Sequence, residues 1–407
     1  MSKIITLLLI LCLLPACSEN LTEVYQSLPQ TTQLEGKVIG IAQKAFAESN
    51  PSRANEIHEV NVIPCPTRMI FKKSNPGRSE AIMVPDTMIY LVNFQKQNGC
   101  VIVADCDLIS DAIAILPDNN LSVEDISDDD ALSYYFELFL DSYLHGTIGN
   151  TFSEDSVNGF ISTFANGETY DEEWHTRVTY SNSNIFTKWG RGNPYNLYCF
   201  TPSGNSARAH YADVAVAQLL TFYEHPAVVN GYTIDWKNTS FSYPSNKAQA
   251  EAAGRLVHEI GVLNKTQYDE DGTWKLGIEI TDEDGNFYPI STLSNLVSSF
   301  NYVCEPFPTE EKMLHNLIDC GPALLSGTAL DEDGKEIRNY TWVVDGAQVR
   351  SRTINQKYEY RFFYRCNWGN NGKNDGYFLS NAFNPLGPYS TYHINHHVYT
   401  TYFIEKK

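Results

Sequence analysis

The sequence predicts an α+β chain in which a buried helix packs against a twisted antiparallel sheet, preceded by a smaller α+β unit. Three observations carry this. Residues 211–223 are apolar or small on almost every side, the pattern of a buried helix and not of an amphipathic surface one. Residues 88–94 and 100–104 are strand-like runs, and Asn98-Gly99 between them is a strong hairpin signal. Residues 321–327, 340–346 and 358–366 supply three later strand-like runs, followed by the turn-rich stretch 367–378.

Read from its start, the chain opens on one positive charge at Lys3 and an apolar run, residues 4–14, too short to span a bilayer as a stable helix. Leu14-Pro15-Ala16-Cys17 then matches a bacterial lipobox. Residues 1–16 are expected to be a lipoprotein signal peptide, with Cys17 as the lipidated residue that attaches the mature protein to a membrane. The alternative is a plain secretory signal in which Cys17 is incidental. Ser18 favours sorting to the outer membrane or cell surface of a two-membrane bacterium. No later stretch is long and apolar enough to cross a membrane. With 43% hydrophobic and 13% aromatic residues the remainder is expected to fold, and its 407 residues allow two or three domains. A net charge of −20 argues against nucleic acid as a partner.

Of the nine cysteines, Cys12 leaves with the signal and Cys17 takes lipid. Cys65, Cys100, Cys106, Cys199, Cys304, Cys320 and Cys366 remain, an odd set without a CxxC pair, so no disulfide pairing can be read. His393, His396 and His397 lie together without a cysteine or carboxylate at ligand spacing, so neither a metal nor a cofactor is expected. His396 and His397 are read as exposed residues of a terminal strand. Asp-Glu-Asp-Gly occurs at 269–272, 282–285 and 331–334, but none has the ligand spacing of a calcium loop, and the last two are expected to be hairpin turns.

Helices are expected at 34–47, at 128–143 with three aspartates at its start, and at 249–261. From His145 to about Arg177 the chain is polar and weakly periodic. The expected organisation is therefore a first domain over 17–150, a linker over 151–180 and a second domain over 181–407. The second domain begins with a turn-rich loop, Lys188 to Asn196, that leads onto the buried helix. Asp213 falls in that helix's first turn, where a negative charge suits the dipole, and Pro226 follows its end.

These blocks occur in the order found in one family. Trp189 with Pro194-Tyr195-Asn196 and Cys199, Ala215 to Gln218 with Tyr223 and Pro226, Pro322 to Gly327, Trp342 to Gly346, and Asn367-Trp368-Gly369 through Phe378 to Asn384-Pro385 resemble the streptopain family of papain-like cysteine peptidases. The likeness spans roughly residues 186–385. Tyr90 to Asp105 and Ile113 to Pro117 resemble that family's propeptide, a domain shared with dedicated (Spi-type) inhibitors. The resemblance implies a papain-like two-part peptidase domain behind a small α+β propeptide-like domain.

It also implies where the catalytic residues belong. Counting back from Gln218 puts the family's nucleophilic cysteine at Tyr211, with His210 where its preceding glycine would be. The catalytic histidine falls at Tyr340 and the oxyanion glutamine at Arg191. The orienting asparagine is retained as Asn367, flanked in the implied cleft by Trp368, and Asn370 replaces a tryptophan of the following turn. A tyrosine offers a phenol of pKa about 10 in place of a thiolate, and a second tyrosine is no base at neutral pH. Losing the glutamine removes an oxyanion donor whose loss costs on the order of 10²–10³ in rate. Rescue readings are a displaced base at His210, a relocated thiol at Cys199 or Cys366, and a phenolate nucleophile at Tyr211. For these the expected roles are a cap or surface histidine, two packed inert thiols, and no tyrosine chemistry.

The leading expectation is an exported, lipid-anchored peptidase homologue without proteolysis that binds a peptide, glycan or protein in a retained cleft. Two alternatives stand beside it: a functioning cysteine peptidase using another thiol, and an inhibitor that plugs a partner peptidase with its first domain.

Overall fold

In a computed structural model, the chain is described over residues 30–57, 59–70, 84–95, 99–128, 130–144, 146–153, 172–181, 185–270, 274–275, 300–306, 310–330, 336–383 and 399–406. Cys17, the histidines at 393–397, Asn384-Pro385 and the Asp-Glu-Asp-Gly runs at 282–285 and 331–334 lie outside these residues.

The first half builds helix α1 (Gln30–Ser49) and strands β1 (Val60–Pro66), β2 (Thr87–Phe94), β3 (Gly99–Asp105) and β4 (Ser110–Leu116), then helix α2 (Asp130–Leu144). The pair expected from Asn98-Gly99 is there: β2 and β3 run antiparallel from Ile89↔Ala104 to Phe94↔Gly99. Helix α2 starts at Asp130, two residues beyond the expected 128, after a separate short helix over Val123–Asp128. The two prolines of β1, Pro64 and Pro66, suit a strand that lies at the edge of the sheet among the described residues.

The second half builds β5 (His175–Ser181), α3 (Tyr211–Tyr223), α4 (Lys247–Leu263), β6 (Tyr302–Pro306), α5 (Glu310–Asp319), β7 (Ala323–Leu330), β8 (Glu336–Ile354), β9 (Lys357–Asn367), β10 (Gly376–Leu379) and β11 (Tyr399–Lys406). Strand β5 falls in the interval expected as a linker. Its Thr176, Val178 and Tyr180 are β-formers, and it pairs with β8 from Gly346↔Ser181 to Ser351↔His175. Strands β8 and β9 form a hairpin longer than the sequence suggested, closed at Asn355-Gln356, both in the left-handed region (φ 50° and 64°).

Among the described residues, one twelve-stranded antiparallel sheet runs β1-β2-β3-β4-β10-β9-β8-β7-β11-β6, with β5 and the short strand Phe152–Ser153 added on β8 and β9. The first half and the second half thus share a single sheet, joined where β4 meets β10. One hydrophobic core follows it across: Val38, Ile102 and Tyr135 belong to the same cluster as Trp342, Phe363 and Phe378. A second core lies between α3, α4 and the sheet, around Trp189, Val214, Leu219, Leu256 and Leu324. The fold is α+β, as the sequence predicted. No helix among the described residues is long and apolar enough to cross a membrane.

Candidate functional site

Helix α3 is buried from Tyr211 through Thr221, as its all-round apolar pattern requires. Its start is capped by His210, which is extended (φ −73°, ψ 147°) and accepts the Ala212 N–H on Nδ1 at 3.1 Å. Histidine is not among the preferred N-caps, yet it meets the same need for an acceptor at an orphan helix N–H. The ring is fully buried, so a surface role is excluded. Burial, with the nearby Arg191 charge second, holds this imidazole well below its usual pKa. The neutral form is also the one whose Nδ1 can accept. The cap role is the one the structure shows.

Asp213, in the first turn, is tied elsewhere. Its carboxylate accepts from Asn264 Nδ2 at 2.6 Å and Thr266 Oγ1 at 2.9 Å, just past the end of α4. Burial outweighs those two hydrogen bonds and pushes its pKa up to about 7.

Arg191 is fixed by two backbone links to Ala209: its Nε donates to the Ala209 carbonyl at 2.8 Å, and its own carbonyl accepts the Ala209 N–H at 2.8 Å. This sets the guanidinium 3.7 Å above the Tyr211 ring. The Tyr211 ring in turn lies 4.1 Å from that of Tyr340, centroid to centroid. Tyr340 comes from β8, and its hydroxyl donates to the Trp368 carbonyl at 3.0 Å. Beyond it, Tyr134 of α2 stacks on Tyr340 at 5.9 Å, with planes 21° apart. Arg191, Tyr211, Tyr340 and Tyr134 therefore form one column. The first three are 6%, 7% and 1% exposed, so the cleft implied by the resemblance is closed at these positions. The closure comes from aromatic volume: tyrosines occupy more space than a thiol and an imidazole, and α2 adds a ring from the first half.

Asn367 is engaged by Gln218. Gln218 Nε2 donates to Asn367 Oδ1 at 3.3 Å, and Asn367 Nδ2 donates to Gln218 Oε1 at 3.2 Å. Asn367 Nδ2 also reaches the Thr187 carbonyl at 2.8 Å, and its Oδ1 accepts the Gly369 N–H at 3.1 Å. Gln218 Oε1 accepts the Trp189 N–H at 3.1 Å. The side-chain amide is thus used to join α3, the loop before it and the turn after β9, rather than to orient an imidazole. Gln218 was read from the sequence only as a register mark. A glutamine in an otherwise apolar buried helix is the signal that could have singled it out, because a buried amide needs partners.

Trp368 is buried against Trp342 and Phe378 at 5.2 Å and 5.0 Å, and its backbone N–H donates to Asp375 Oδ1 at 3.0 Å. Burial pushes Asp375 up to about 7. Asn370 is half-buried at the tip of this turn, and its carbonyl accepts the Lys373 N–H at 3.0 Å.

The two thiols considered as replacements are both buried. Burial pushes Cys199 up to about 11, and the Tyr268 hydroxyl donates to its sulfur at 3.2 Å. Burial raises Cys366 well above the ordinary thiol range. Neither is a thiolate at neutral pH. Among the described residues no three His, Cys, Asp or Glu side chains converge as a metal site.

Residues 189–378 match the family model described as Peptidase C10 family. Among solved structures, a prointerpain A fragment of Prevotella intermedia carrying a cysteine-to-alanine substitution is 17% identical, with a TM-score of 0.47, covering 79% of this chain and 96% of its own. The active wild-type interpain A cysteine protease of the same organism is 20% identical, with a TM-score of 0.38, covering 55% of this chain and 94% of its own. No curated protein matches the chain. The segment matched by that model contains Arg191, His210, Tyr211, Tyr340, Asn367, Trp368 and Asn370, and the fold gathers them around the start of α3.

Proposed function

We propose that this chain is a non-hydrolytic homologue of the Peptidase C10 enzymes, attached to a membrane through Cys17 and acting by binding a peptide, glycan or protein. One observation carries the reading. At the start of α3, where the family resemblance puts a thiolate beside an imidazolium, Tyr211 packs on Tyr340 at 4.1 Å with the Arg191 guanidinium on its other side. That column holds no group that could deprotonate a nucleophile near neutral pH, since the cationic Arg191 disfavours any neighbouring positive charge. The raised pKa values of Cys199 and Cys366 argue against a relocated thiol. Against the inhibitor reading, the first half is already packed on the second within this chain, Tyr134 on Tyr340 among its contacts.

The test is to treat the purified protein with an epoxide of the kind that alkylates papain-class thiols, map any adduct by mass spectrometry, and assay casein hydrolysis. No adduct and no hydrolysis are expected. An adduct on one cysteine together with epoxide-sensitive casein cleavage would overturn the proposal. For the anchor, incorporation of a labelled fatty acid is expected in the wild type and not in a Cys17→Ala variant; equal incorporation in both refutes attachment at that residue.

A further inference from the structure

We propose that residues 30–153 stay seated on residues 172–383 as a non-covalent subunit after the backbone between them is cut. This rests on the contact itself and stands whether or not the protein hydrolyses peptides. The partner that fits this surface of the second half is the chain's own first half.

The contact is a continuation of the sheet. Ala114 and Ile115 of β4 pair with Phe378 and Tyr377 of β10. The approach there is so close that a Cβ on Gly376 would lie 2.4 Å from the Ile115 carbonyl oxygen and 3.1 Å from Leu116 Cα. Only glycine fits, so the residue at the start of β10 is shaped to the strand it receives.

Beside this seam lies a buried ion cluster. Asp111 of β4 accepts from Arg350 Nη1 and Arg361 Nη1, each at 2.7 Å, and the three side chains are 2%, 1% and 4% exposed. Arg350 donates further to the Trp174 carbonyl at 3.3 Å, and the Arg361 guanidinium lies 4.3 Å from the Trp174 ring. One carboxylate from the first half is thus shared by two arginines of the second. Separating the halves would leave all three charges without their partners.

Apolar packing completes the join. Tyr135 of α2 meets Phe378 at 4.9 Å and Phe383 at 5.4 Å, and Tyr134 meets Tyr340 and Trp342 at 5.9 Å and 6.0 Å. Ser142 donates to the Asn381 carbonyl at 3.0 Å, and Asn381 Nδ2 donates to the Asn150 carbonyl at 2.7 Å. Because sheet, charge and core cross the same boundary, the join resembles the interior of a domain more than a surface encounter.

To test it, a site-specific protease sequence is placed within residues 154–171 of the full chain, the chain is cut, and the product is run on a size-exclusion column at about 0.15 M and about 1 M sodium chloride, where the Debye length falls to about 3 Å. Both fragments are expected in one peak at the uncut elution volume at both salt concentrations. Two separate peaks at either concentration would overturn the proposal. In the cut Asp111→Ala chain, which leaves two buried guanidinium groups unpaired, the dissociated fraction is expected to rise about tenfold or more. A cut Gly376→Val chain should behave alike, since its side chain collides with β4. Dissociation of both variants equal to that of the wild type would refute the roles given to the cluster and the seam.

Discussion

Tyr211 and Tyr340 meet ring on ring, their centroids 4.1 Å apart and their planes tilted by 39°. One begins a buried helix and the other lies on the sheet opposite, so the contact pins α3 to β8. Truncating Tyr340 to alanine removes a ring that also touches Tyr134 and Trp368. A loss of about 3–5 kcal/mol of stability in denaturant unfolding is expected, in the range of large buried aromatics. Tyr340→Phe keeps the ring and loses the hydroxyl's bond to the Trp368 carbonyl, which is expected to cost about 0.5–1.5 kcal/mol.

Asp111 offers a second measurement. Its replacement by alanine leaves Arg350 and Arg361 buried without their counter-charge, and a destabilisation of about 3–5 kcal/mol is expected in urea titration of the uncut chain. Replacement of the exposed Lys247, which lies 3.5 Å from Glu251 on the surface of α4, should change stability by less than about 0.5 kcal/mol under the same conditions.

Asp213 and Asp375 give the protein a pH dependence of definite sign. Each has a folded pKa of about 7 against an ordinary 3.8, burial being the main cause. The folded state therefore holds these protons more tightly than the unfolded chain. Their contribution is fully present below about 3.8 and is lost as pH rises through about 7. Between these limits each group lowers stability by up to about 1.4 kcal/mol per pH unit. Unfolding free energy measured from pH 4 to 8 should show a shallower decline in Asp213→Asn than in the wild type, and an unchanged slope would contradict the burial argument.

Thiol accessibility gives a fourth. With iodoacetamide at pH 8, Cys320, which is exposed, should be alkylated in the folded protein, whereas Cys199 and Cys366 should react only after denaturation. Peptide mapping of the two samples decides it, and rapid native alkylation of Cys366 would be inconsistent with its buried place in β9.

Parts of this architecture were legible without coordinates. The α3 boundaries at Tyr211 and Tyr223 follow from a run that is apolar or small on almost every side, and the β2–β3 pairing follows from a turn dipeptide whose conformation is specific. Strand β5 was not legible, because its polar residues are those of a solvated segment until β8 is placed beside them. The reach of β8 to Ile354 was missed because Asn355-Gln356 carries only half of a hairpin signature: asparagine tolerates positive φ readily, glutamine much less so. At the site, counting from Gln218 and from the Trp342 strand brought Tyr211, Tyr340 and Arg191 to one place, but not Tyr134. Nor could it show that Asn367 bonds to Gln218, since an amide pair between a helix and a strand end leaves no spacing to count.

What the sequence determined by itself is the chemistry available at the start of α3: a phenol at 211, a phenol at 340 and a guanidinium at 191, because the identity of a side chain needs no fold to be known. What only the tertiary structure decided is that these groups are packed together and covered. Tyr340 is backed by Tyr134, brought from a distant helix by a sheet that passes without a break from the first half to the second. Burial, and with it the neutral His210 and the protonated Cys199 and Cys366, depends on contacts between residues far apart in the chain, which local pattern does not encode.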